Sequence, residues 1–240
     1  MNPPNVDPAT ANSTVADFGL RLPDCEPQRL ACDLFHALSQ PLTTLCCSLE
    51  LALQQALTQE QYRECVIGAL AQVERASWLA MGVRELLDAG EPGEDSEPLQ
   101  LQAAVHDAVT DLLTVAESAR VRICYLPSSS GRVRFEAQRL RRGLFHLVGF
   151  TVGWAARAAV VRIELVDVAE DVVLGLTVSD EDAAAGTGPQ HAGEDRRSCE
   201  HLARRLGLGI ARATFEAAGG SFRVQLADNR LSVEVRLRRV

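Results

Sequence analysis

Leu34-Phe35-His36-Ala37-Leu38-Ser39-Gln40-Pro41-Leu42-Thr43-Thr44-Leu45 is the stretch whose reading decides the fold. Leucines 30, 34, 38, 42, 45, 49 and 53 recur at steps of four or three, the spacing of a helical seam that buries an apolar edge against a partner helix. Beside it run positions 29, 33, 36, 40, 43, 47, 50 and 54, polar apart from Cys47. His36 therefore belongs to the wet stripe of a helix whose other edge is tied into a core. Pro41 is the irregular residue. Inside a helix a proline removes one backbone hydrogen bond and crowds the carbonyl four residues back, at a cost of ~3 kcal/mol. That carbonyl is Ala37's, next to the histidine, so a kink is expected beside His36.

His36-Ala37-Leu38-Ser39-Gln40-Pro41-Leu42-Thr43 resembles the H-box of histidine kinases, whose usual form is His-Glu-Leu-Arg-Thr-Pro-Leu-Thr. His36, Leu38, Pro41, Leu42 and Thr43 match it, whereas Ala37, Ser39 and Gln40 depart. The resemblance implies that His36 is a phosphoacceptor imidazole in a dimeric helical hairpin. Its weight depends on whether the rest of the chain fits.

The 240 residues, 47% hydrophobic and 23% charged, suit one or two globular domains with ample core. No apolar run approaches the ~18 residues of a membrane span, and a basic-then-apolar signal pattern is missing, so a cytoplasmic protein without membrane attachment is expected. Seven cysteines lack paired ligand spacing, which argues against a disulfide framework or a zinc site. They read as small, buried, reduced side chains. A net charge of −8 argues against nucleic-acid partners. All 24 basic residues are arginine, which excludes lysine Schiff-base and P-loop chemistry.

Residues 1–25 have the composition of a flexible arm. A first helix is expected from about residue 26 to 56. Thr58-Gln59-Glu60-Gln61 is a capping-box pattern opening a second helix to about residue 89, with Val66, Leu70, Val73, Ser77, Ala80, Val83 and Leu87 on one edge. The pair makes a hairpin over 26–90 with more apolar edge than it can bury alone, so a homodimeric four-helix bundle is expected. An acidic linker rich in Gly and Pro covers 91–98.

From residue 99 the texture changes. Strands are read at 99–101, 121–126, 132–136, 160–168, 172–179, 221–226 and 231–237. Helices are read at 103–119, 137–156 and from about 199 to 218, after a polar loop over 181–198. The fold class is α+β in several domains: a helical hairpin, then an α/β two-layer sandwich over 99–240. That order is similar to the histidine-kinase ATPase domain over essentially its full length.

Residue by residue, the nucleotide motifs of that family are depleted. Its N-box, Asn-Leu-Leu-x-Asn-Ala, falls on His146-Leu147-Val148-Gly149-Phe150-Thr151. Phe150 replaces the asparagine that helps hold Mg²⁺, and a phenyl ring offers no oxygen ligand. His146, in place of the first asparagine, reads as an ordinary helix residue. Asp-x-Gly-x-Gly becomes Asp180-Glu181-Asp182-Ala183-Ala184; Asp180, the adenine acceptor in the family, remains. Gly186-Thr187-Gly188 is a weak substitute for the missing glycines. The last glycine box reads Ala203-Arg204-Arg205-Leu206-Gly207-Leu208-Gly209, keeping Leu206, Gly207 and Leu208 for packing while Ala203 and Arg205 replace the phosphate-cradling glycines. Arg205 retains a charge that would attract phosphate weakly. Ala37 stands where the family has the acidic residue that takes up the imidazole proton.

The resemblance therefore implies a degenerate histidine kinase whose self-phosphorylation is slow or lost. The leading reading is a relay: His36 takes a phosphoryl group from a response-regulator receiver domain and passes it to another. No cofactor of its own is expected, Mg²⁺ coming with the receiver. Gln40, one turn beyond His36, would orient water if the chain is instead a phosphatase. Asp180 and Gly207 would line a vestigial nucleotide site. A pseudokinase that only binds a regulator or a kinase, and an atypical ATP-dependent kinase, complete the alternatives.

Overall fold

The computed structural model describes residues 27–91, 96–155, 159–180, 194–227 and 230–240. Helices α1 (Pro27–Gln54) and α2 (Gln59–Gly90) form an antiparallel hairpin. Thr58 caps α2 as its sequence demands. Its hydroxyl accepts from the Gln61 N–H at 3.3 Å, and its own N–H donates to Gln61 Oε1 at 2.9 Å. Helix α1 continues through Pro41, whose ring is buried. Side chains bond back to the helix on either side of it: Ser39 Oγ donates to the Phe35 carbonyl at 2.8 Å, and Thr43 Oγ1 to the Ser39 carbonyl at 2.9 Å.

One expectation about the hairpin needs correction, the burial of its cysteines, while a single chain leaves much of its apolar edge exposed. The leucine seam of α1 is only partly buried within one chain: Leu34 is buried, but Leu42 and Leu49 are exposed and Leu53 is 87% exposed. On α2 the expected edge points outward, leaving Val66, Leu70, Val73 and Leu87 exposed, while Ala76, Leu79, Gly82 and Ala89 are buried. The small residues of that inner line let another helix approach closely, which larger side chains would prevent. Nor are the thiols of α1 buried. Cys32, Cys46 and Cys47 are exposed, and with the partly buried Cys65 and Cys124 they are free. Cys25 and Cys199 lie outside the described side chains.

The sandwich opens with β1 (Glu97–Gln100), two residues before the expected start, and runs directly into α3 (Leu101–Ala119). Then follow β2 (Arg122–Pro127), β3 (Arg132–Phe135), α4 (Ala137–Trp154), β4 (Ala159–Val168) and β5 (Asp171–Asp180). Helix α5 (Glu194–Ala217) and strands β6 (Ser221–Ala227) and β7 (Arg230–Arg238) complete the order. Helix α5 starts four residues before the end assigned to the polar loop, whose residues 181–193 lie outside the description.

Strands β1 and β3 pair as an antiparallel ribbon, and the main sheet has the order β2-β4-β5-β7-β6. Only β2 and β4 run parallel, joined by a crossover through β3 and α4. Alternating residues face the helices. Ile163, Leu176, Val233 and Val224 lie in one cross-strand row, and Leu165, Leu174, Val235 and Phe222 in the next. Helix α4 lays Leu140, Leu144, Leu147 and Val148 on this surface, and α5 adds Leu208, Ala211 and Phe215.

The end of α5 fixes how β6 leaves the helix layer. The Gly219 N–H donates to the Glu216 carbonyl and the Gly220 N–H to that of Phe215, both at 3.0 Å, and Gly219 has φ of +77°. This pairing is a Schellman closure with glycine in the left-handed position. At Gly220 a Cβ would meet the carbonyl oxygens of Arg236 and Phe215 at 2.8 and 2.9 Å. Backbone cannot step aside as a side chain can, so Gly220→Ala is expected to cost about 1–3 kcal/mol in urea unfolding.

Candidate functional site

The polar stripe of α1 is exposed at every described position: Asp33, His36, Gln40, Thr43, Cys47, Glu50 and Gln54. Opposite it, Leu34 is buried, with Ala37 and Leu38 partly so. The same periodicity that buries Leu34 thus leaves the imidazole in water. Gln40 Nε2 lies 3.4 Å from His36 Nε2. An amide N–H can donate only to an unprotonated ring nitrogen, so this contact suits the tautomer with its proton on Nδ1. In that form the ring's one basic lone pair is on Nε2, so an electrophile arriving from outside the chain reaches it by displacing the Gln40 amide.

The residues expected in a nucleotide site belong to the sandwich: Asp180 to β5 and Gly207 to α5. Asp180 is the last residue of β5, its backbone paired with Ala159, and its side chain lies outside the description. Gly186-Thr187-Gly188 lies outside it altogether. Gly207 faces α4, where an added Cβ would stand 3.7 Å from His146 Nδ1. Phe150 is buried within the core of the sandwich, its ring centroid 6.1 Å from that of Trp154. Thr151 is also buried, its hydroxyl donating to the Val148 carbonyl at 2.8 Å. No group of His, Cys, Asp and Glu among the described residues could hold a metal ion.

Several contacts join the sandwich to the hairpin that no local pattern foretells. Arg205 bonds through Nη1 to Asp33, 172 positions away, so the arginine standing at a phosphate-cradling position is engaged by a carboxylate of α1. His146 Nε2 lies 3.4 Å from Glu85 Oε2 on α2, and Arg142 Nε 3.5 Å from Glu85 Oε1. Arg139 donates to the carbonyls of Asp88 and Ala89 at 3.0 and 2.8 Å, satisfying the end of α2. His146, expected to be an ordinary helix residue, therefore faces a carboxylate. None of these pairings can be read from local pattern, and only the packing of the sandwich helices against α1 and α2 brings the partners together.

An exposed histidine on a two-helix stem, followed by this mixed-sheet sandwich, is the architecture of histidine kinases. The fold is similar to that of solved histidine kinases. The chain is similar to the Acinetobacter baumannii histidine kinase AdeS, with a TM-score of 0.58 and 18% identity over 85% of this chain and 97% of that one. It is also similar to histidine kinase ThkA in complex with the response regulator protein TrrA, with a TM-score of 0.61 and 14% identity over 88% of this chain and 61% of that one. A third similar structure is full-length ShkA in complex with AMPPNP, with a TM-score of 0.55 and 17% identity, spanning 89% of this chain and 46% of that one. The likeness is one of fold. No protein-family model matches the sequence, and no curated protein does.

Proposed function

We propose that this chain relays phosphoryl groups between response-regulator aspartates through His36, as a cytoplasmic homodimer joined along the hairpin. The observation that carries this reading is His36 standing exposed on the polar stripe of α1. In the forward step an unprotonated ring nitrogen attacks the phosphorus of an aspartyl-phosphate. The P–N bond forms as the P–O bond to the carboxylate breaks, and the carboxylate leaves; the reverse step loads the next receiver. The receiver brings its own Asp and Mg²⁺, so the chain contributes nucleophile and geometry. ThkA has been solved with a response regulator, which supports a partner of that kind for this fold.

Phe150 in the core and Arg205 on Asp33 favour relay over self-phosphorylation, because transfer from ATP needs metal and positioned phosphates together. Asp180 and Gly207 are read as remnants of a nucleotide site. The exposed apolar residues Leu53, Val66, Ile67 and Leu70 lie along the two helices of the stem, the surface a second copy would cover. No described helix is long and apolar enough to cross a membrane.

The test is a panel of phosphorylated receiver domains offered to the purified chain. Label is expected to appear on His36 and to leave it when an unphosphorylated receiver is added; a panel that never labels the chain overturns the relay. The contact of Gln40 with His36 favours one further reading, in which Gln40 orients water for hydrolysis of the aspartyl-phosphate. Gln40→Ala then slows loss of label to water and leaves transfer onto His36 unchanged.

A further inference from the structure

We propose that Arg205 and Leu206 form a latch that holds the sandwich in one fixed orientation against the hairpin. Leu206 and Ile210 of α5 are 3% and 1% exposed, and they pack with Leu34, Leu79 and Ala89 of the hairpin in a cluster separate from the core of the sandwich. Leu206 is seated where Gly82 has no side chain, since a Cβ there would stand 2.2 Å from Leu206 Cδ2. One residue earlier, Arg205 reaches the opposite helix of the hairpin and bonds Asp33, one turn before His36. Consecutive residues of α5 thus grip α2 and α1 at once.

The pair is built into the junction. The side chain of Arg205 is only 16% exposed while that of Asp33 is 49% exposed, and Arg205 Nε is buried with no hydrogen-bond partner among the described residues. Asp33 is the carboxylate the structure gives the guanidinium, so removing it strands a largely buried cation, whereas removing Arg205 releases Asp33 to water. Glu85 and Arg139 hold the far end of the same junction. For the sandwich to travel toward His36, the Leu206 seat and the Asp33 pair must both break. The former phosphate-cradle segment is here a brace between the two parts of the chain.

The latch is a property of the junction and holds whether or not His36 carries phosphate, so its test reads shape. Small-angle X-ray scattering of the full chain is compared with that of Gly82→Ala, Arg205→Gln and Asp33→Asn. Asp33→Asn is the decisive variant, and Gly82→Ala presses on the seat itself: alanine is a better helix former than glycine, so α2 is preserved while Leu206 must rotate or shift to admit the new Cβ. The radius of gyration and maximum dimension are expected to rise in all three, most in Asp33→Asn of the two charge variants. The swap Asp33→Arg with Arg205→Asp is expected to return them toward the parent. Scattering profiles of Gly82→Ala and Asp33→Asn that superpose on the parent's overturn the latch.

Discussion

His36→Ala is expected to reduce phosphoryl exchange between receiver domains by at least about a thousandfold, because the atom that forms the P–N bond is gone and no neighbour on the stripe replaces it. The same change should shift stability by no more than about 0.5 kcal/mol, since the imidazole is exposed. That contrast makes the variant diagnostic, as lost transfer cannot then be blamed on unfolding. Label transfer followed beside a urea melt checks both halves. Exchange at the parent's rate in His36→Ala removes the relay reading. Loss of labelling with continued hydrolysis of the aspartyl-phosphate assigns the chemistry to Gln40 and water. Unchanged receiver binding with no chemistry in parent or variant leaves sequestration as the function.

How legible this was in the sequence differs from one feature to another. Period and capping wrote themselves into local pattern. The leucine steps and the Thr58–Gln61 box marked both helices of the stem, alternation marked β2, and the short Ala169-Glu170-Asp171 turn marked β4 and β5 as a hairpin, as they pair in the sheet. The exposed stripe bearing His36 followed from the same arithmetic. What local pattern could not reveal was which apolar face meets which. On α2 the pattern marked one apolar edge, but the line that meets α5 is Ala76, Leu79, Gly82 and Ala89, where small residues let α5 come close. Apolar size is a poor guide where close approach is what the packing needs. The cysteines of α1 misled for a related reason: a small apolar residue suits either side of a helix, and the burial expected for Cys32, Cys46 and Cys47 did not follow. Arg205 was legible as a departure from a glycine motif, yet its partner lies at the other end of the chain and nothing near either residue announces the pair.

Phe150→Asn puts back the residue type that the histidine-kinase N-box carries, and it is expected to break the protein rather than repair it. Phe150 is 5% exposed on the inner face of α4, beside Trp154 and among the residues that cover the sheet. Losing that ring forfeits its burial and opens a cavity, and the new amide must find partners in apolar surroundings. Together these amount to about 3–5 kcal/mol, a fall in melting temperature on the order of 10 °C for a chain of this size. Incubation of the variant with γ-labelled ATP and Mg²⁺ is expected to leave it unlabelled, because one restored amide supplies neither the missing glycines nor freedom for Arg205. The alternative has a distinct signature. If Phe150→Asn melts with the parent and takes label from ATP alone, the position opens to nucleotide rather than to the core, and the chain is a kinase one substitution from activity. Melting and labelling of the same preparation separate these outcomes, since a packed ring and a metal-binding amide cannot both be the natural occupant of that point on α4.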